Sequence, residues 1–170
     1  MYIDIYYIME SIKCELEEKG YVIVQNILTE NEIVDYTREF NNWYNNTPNL
    51  KNLHGKIDPH GIFKFHEVGH QRFAWLCRTN PKIIEVFKYI WNTDELVASF
   101  DGCCYMSNDV VKKDNHWTHT DQSSEKKGLY CYQGLVSLTS NSKRTLVVYE
   151  GSHKLHEKYF TENNITSKNN

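Results

Sequence analysis

A chain of 170 residues, 40% hydrophobic and 24% charged, is long enough to bury a core of its own and suits a single domain over 1–170. A net charge of −3 removes the electrostatic case for a nucleic-acid or membrane-surface binder. Five cysteines (Cys14, Cys77, Cys103, Cys104 and Cys131) with no Cys-x-x-Cys pair speak against a disulfide framework or a zinc ribbon, and for a reducing, cytoplasmic setting.

The N-terminal stretch Met1–Met9 is apolar but short, carries Asp4 and lacks a basic leader, so it makes a poor signal peptide and cannot span a bilayer. Ile8, Ile12 and Leu16 recur every fourth residue and predict a helix from about Ile8 to Lys19, stopped by Gly20. Tyr21–Val24 is a β-branched run that reads as a short buried strand. Thr29 with Glu32 three residues on is a capping-box pattern, and Ile33, Tyr36, Phe40 and Trp43 form the stripe of the helix that follows.

From Asn45 to about Phe65 the chain is a polar connection with two prolines and two glycines. His54, His60, His66 and His70 lie in or near it without a metal-binding spacing, and are expected on the surface, or else in a substrate lid. Asn80-Pro81 reads as a cap plus first helical residue, ahead of a stripe of Ile83, Phe87 and Ile90 that ends near Trp91. Alternation then predicts strands over Leu96–Met106, His116–Asp121, Tyr130–Leu138 and Thr145–Tyr149, and a frayed polar end over the last dozen residues. Cys103 and Cys104, being adjacent, should face opposite sides of their strand as packing residues. Helices followed by closely spaced strands predict an α+β protein, helices packed on one side of an antiparallel sheet, sandwich or barrel.

The chemistry-bearing stretch is His116-Trp-Thr-His-Thr-Asp121. In a strand, His119 and Asp121 project from the same face, so an imidazole and a carboxylate could meet one ion; in a helix they would sit roughly 200° apart. A lone His-x-Asp is also a common hydrogen-bonded pair. Two histidines and one carboxylate make the facial triad of non-haem Fe(II) oxygenases, with positions left open for cosubstrate and O₂. His153 and His156 are the histidines that follow Asp121, and His116 would point to the opposite face. A nucleophile built on Ser152 with His153, or on Cys131, lacks any elbow motif.

Several segments in order resemble the phytanoyl-CoA dioxygenase family of Fe(II)- and 2-oxoglutarate-dependent oxygenases. These are Glu18-Lys-Gly-Tyr-Val-Ile-Val24, Leu28-Thr-Glu-Asn-Glu-Ile33, Trp117-Thr-His-Thr-Asp121, Gln133-Gly-Leu-Val-Ser-Leu138 and Leu146-Val-Val-Tyr-Glu-Gly-Ser-His-Lys154. The resemblance implies a double-stranded β-helix (a cupin-like jelly roll) holding iron through His119 and Asp121. It also implies Gln133 and Thr145 near 2-oxoglutarate, and hydroxylation of a small-molecule or lipid-like substrate. In the family a second metal histidine and a cosubstrate-binding arginine come after Gly-Ser-His-Lys, and neither has a counterpart here. The expectation is therefore the front two-thirds of such an oxygenase. Its third ligand is either His153, or failing that His156, or a residue of a second chain that supplies the missing strands. The alternatives are a catalytically inactive fragment and a cupin-like metal binder that uses His153 and no 2-oxoglutarate.

Overall fold

The computed structural model describes residues 5–50, 60–106, 117–141 and 146–166. Among them are five helices: α1 (Ile5–Lys19), α2 (Glu30–Asn46), α3 (Arg72–Arg78), α4 (Pro81–Trp91) and α5 (His156–Glu162). Two short strands, β1 (Ile62–Phe63) and β2 (Cys103–Cys104), pair antiparallel with Ile62 opposite Cys104 and Phe63 opposite Cys103. The chain divides into two compact units, a larger one of Gln25–Lys113 with Val136–Thr145, and a smaller one of Met1–Val24, Asp114–Leu135 and Leu146–Asn170.

The larger unit grows from capped helices. The Thr29 hydroxyl accepts from the Glu32 amide while the Glu32 carboxylate accepts from the Thr29 amide, closing the expected capping box. The Asn80 side-chain Oδ1 accepts from the Lys82 amide over Pro81, and its buried side-chain NH₂ donates to Glu32 and to the Tyr36 hydroxyl. One side chain thus ties the first turn of α4 to the first two turns of α2, and every polar group that it buries is satisfied. α2 packs on α3. Between and beside them lies an aromatic core of Trp43, Leu50, Phe63, Val68 and Phe73, flanked by Phe40, Tyr44 and Tyr105. Its rings meet edge to face, Phe40 on Phe73 at 5.3 Å and Trp43 on Phe63 at 5.6 Å, and each such pair adds about 0.5–1.5 kcal/mol to the burial itself. Trp43 also donates its indole N–H to the His66 carbonyl, so the largest core ring leaves no polar atom unpaired.

Arg78 closes this unit on another side. Its guanidinium donates to the carbonyls of Gly69 and Asp101 and lies over the rings of Trp75 and Phe100. A lysine could not make this planar, forked contact. Cys103 packs on the core and its neighbour Cys104 is exposed, the opposite-facing arrangement that a strand imposes. Burial pushes the Cys103 thiol up to about 12 and the Cys77 thiol up to about 11, so neither offers a thiolate at neutral pH.

The smaller unit is built differently. α1 buries Ile12, the middle residue of the stripe read from the sequence, and α5 buries Phe160. Gly20 ends α1 with φ +86°, its amide donating to the Leu16 carbonyl. The chain returns at Gly151, whose amide donates to the Lys19 carbonyl at 2.8 Å, and His153 bonds the Glu17 carbonyl through Nε2 at 3.0 Å. The last turn of α1 therefore has its orphan carbonyls capped by residues more than a hundred positions away.

The jelly roll is not what forms. Among the described residues the sheet has two strands, and the stretches 21–24, 117–121, 130–138 and 146–149 carry no ladder. Their apolar residues stand in the open: Ile23 is 73% exposed, Leu135 68% and Val147 76%. Alternation gives a segment two faces, but a strand also needs a neighbouring strand for its backbone N–H and C=O groups, and among the described residues these stretches pair with no other strand. Among the described residues, the polar connection expected over 45–65 holds the most buried hydrophobic side chain, Leu50, and one of the two strands. The polar C-terminal dozen overlaps α5, which anchors itself through Phe160.

Candidate functional site

His119 and Asp121 come together without a strand. The backbone at 117–120 is irregular and bends at Asp121, and the bend brings His119 Nε2 to 3.1 Å from Asp121 Oδ1. The other ring nitrogen, Nδ1, lies 2.9 Å from the Trp117 carbonyl. A carbonyl only accepts, so Nδ1 carries a proton and Nε2 is turned toward the carboxylate. The Trp117 indole stacks on the imidazole, ring centroids 4.1 Å apart and planes 25° apart, covering one face of it.

In the neutral imidazole with its proton on Nδ1, Nε2 and the carboxylate would be two acceptors 3.1 Å apart, which repel unless a positive charge lies between them. That charge is either a second proton on the imidazole or a metal ion. As a plain ion pair the contact is worth little: the side chains are 43% and 53% exposed, and exposed pairs contribute about 0–1 kcal/mol. Two neighbouring ligands of an octahedral ion, each about 2.1 Å from it, stand about 3.0 Å apart, which is the separation seen here. The donor pair thus fits a metal ion.

The remaining residues of the expected site are dispersed. His153 is held at the C-terminal end of α1 by the Glu17 carbonyl, with its ring against Gly20. Gln133 is exposed on the irregular stretch 129–138, and Thr145 lies outside the described residues, as does His116. Among the described residues no three His, Cys, Asp or Glu side chains gather into a metal-binding group.

Two residues stand beside the loop that follows the pair: His156, one of the two histidines offered by the sequence as a third ligand, and Glu157, which the sequence reading left without a role. His156 directs Nε2 at the Gln122 carbonyl, 3.2 Å away, and Glu157 accepts from the Gly128 amide at 2.9 Å. A His-Glu pair opening a helix is the signal that was available for them, but nothing local says which loop it meets. None of the described helices is long and apolar enough to cross a membrane.

No protein-family model matches the chain, and no solved structure matches it. It is similar to Ava biosynthesis cluster protein O of Aspergillus versicolor, 35% identical over 104 residues. That match takes in 58% of this chain but spans 33% of the length of that relative.

Proposed function

We propose that His119 and Asp121 are two of the three protein ligands of an Fe(II) centre in a 2-oxoglutarate-dependent dioxygenase that acts on a small-molecule or lipid-like substrate. The observation that carries this reading is the 3.1 Å approach of His119 Nε2 to Asp121 Oδ1 while Nδ1 is committed to the Trp117 carbonyl. Imidazole plus carboxylate is the hard, nitrogen–oxygen donor set that suits Fe(II) or Mn(II) over thiolate-seeking ions. The iron, when bound, supplies the oxidative chemistry, and 2-oxoglutarate is its cosubstrate.

The protein's part is orientation. The Trp117 carbonyl selects the tautomer that leaves Nε2 a ligand, and its indole keeps water from one face of the ring. Asp121 supplies the negative charge that offsets the ion's. His153, whose Nε2 meets the Glu17 carbonyl, is not gathered with the pair among the described residues, so it serves as third ligand only after a rearrangement. The third donor is either His153 brought to the pair in that way or a residue of a second chain, for which the exposed Leu135, Leu146 and Val147 give apolar side chains to cover. Gln133 and Thr145 are the residues that the family resemblance assigns to 2-oxoglutarate. The relative's name, a biosynthesis cluster protein, supports a small-molecule substrate.

The test is an anaerobic titration with Fe(II), with and without 2-oxoglutarate, read by the visible charge-transfer band and by calorimetry. The wild-type chain should bind Fe(II), and Asp121→Ala should bind at least tenfold more weakly. Full affinity in Asp121→Ala would sink the assignment. Fe(II) binding that is indifferent to 2-oxoglutarate would favour a metal-binding protein without the cosubstrate.

A further inference from the structure

The loop that follows Asp121 is held from outside by the first turn of α5. The Gln122 carbonyl accepts twice, from the Thr120 hydroxyl at 3.0 Å and from His156 Nε2 at 3.2 Å, which fills both lone pairs and locks the peptide one residue beyond Asp121. The Gln122 side chain then donates to the carbonyls of Lys126 (3.2 Å) and Gly128 (2.8 Å), folding 122–128 back on itself. At the far end of that loop the Gly128 amide donates to the Glu157 carboxylate at 2.9 Å. Gly128 has φ +75°, a conformation that disfavours any side chain there. Both ends of the loop are thus tied to consecutive residues of one helix, His156 and Glu157. The other face of the His156 ring packs edge-on against Phe160 at 4.8 Å, which fixes its direction.

We infer that His156 and Glu157 are positioning residues for the His119–Asp121 donor pair, clamping the 122–128 loop so that the Asp121 carboxylate stays within ligand distance of His119 Nε2. The inference rests on the metal reading of that pair. An exposed pair on irregular backbone has no ladder or helix to hold it: its N-terminal side is fixed by Trp117, and its C-terminal side by this clamp. Removing a support of this kind weakens metal affinity by about 10- to 100-fold. It leaves the donors themselves in place.

The experiment titrates the full chain with Co(II), read by its visible d–d absorption, for wild type, His156→Phe, His156→Gln and Glu157→Ala, with a thermal unfolding midpoint for each. His156→Phe should lose about tenfold or more in Co(II) affinity. His156→Gln, whose amide N–H can reach the Gln122 carbonyl, should return to within a few-fold of wild type. A merely structural role would move the midpoint but not separate these two variants in affinity. Should His156→Phe fail to fold, the exposed Glu157→Ala carries the test, with an expected several-fold loss. Wild-type affinity in both His156→Phe and Glu157→Ala would overturn the clamp while leaving the metal site standing. Absence of Co(II) binding in the folded wild type would overturn the metal reading and the clamp with it.

Discussion

The larger unit is held by what it buries, the smaller one by what it hydrogen-bonds. In the first, Trp43, Leu50, Phe63, Val68 and Phe73 interlock, and the polar atoms that come with them are matched. In the second, the described residues bury Ile12 and Phe160, and long-range order comes from side chains reaching across to backbone: His153 to Glu17, His156 to Gln122, Glu157 to Gly128. Packed rings act collectively and tolerate little displacement. Hydrogen bonds at an exposed surface contribute about 0.5–1.5 kcal/mol each and open locally. The donor pair His119 and Asp121 sits in the second kind of structure, where a ligand can be admitted and a loop adjusted without disturbing a core.

The largest effect should come from Trp43→Ala. It empties the centre of the aromatic core and leaves the His66 carbonyl without its donor, so urea denaturation should register a loss of about 3–5 kcal/mol. A loss below about 1 kcal/mol would mean that the rings do not carry the larger unit.

Next comes Gly20→Ala. The new methyl would collide with His153 Nδ1, and φ +86° is strained for any residue with a side chain, so the cost is about 1–2 kcal/mol at least. Amide exchange should show the effect confined to the smaller unit, with the Gly151 amide losing protection and the amides of α2 keeping theirs. Equal loss in both units would break the comparison.

A smaller effect is acid sensitivity. Lys82, and then the Thr29 amide and hydroxyl, hold the Glu32 carboxyl at about 2, below its ordinary 4.5. The unfolded chain therefore binds this proton first, and the stabilisation present above about 4.5 is lost as pH falls toward about 2. Glu32→Gln should flatten the fall of stability over that window, modestly and less so at high salt. A slope identical to wild type would remove Glu32 from the account.

The mildest test is thiol labelling at pH 8. Exposed Cys14, Cys104 and Cys131 should react first, while the half-buried Cys103 and Cys77, whose thiols are held protonated, react more slowly until unfolding. Early labelling of Cys103 would mean that the core beside β2 opens as readily as the smaller unit.

Much of the helical part was legible in the residues. Thr29 with Glu32, Asn80 with Pro81, Gly20 after its stripe, and the spacing of Tyr36, Phe40 and Trp43 all act within a turn or two, so their meaning travels with the local sequence. The meeting of His119 with Asp121 was legible for the same reason, two residues apart, although a bend and not a strand delivers it. What tertiary structure alone decided is everything non-local. Period-two patterning over 130–138 and 146–149 says which side chains share a face, but pairing depends on a partner elsewhere in the chain, and the alternation does not supply one. Leu50 became the most buried hydrophobic side chain among the described residues by landing among rings that its own neighbours do not foretell. His153 went to a carbonyl 136 residues away and His156 to one 34 away, and no spacing rule reaches that far.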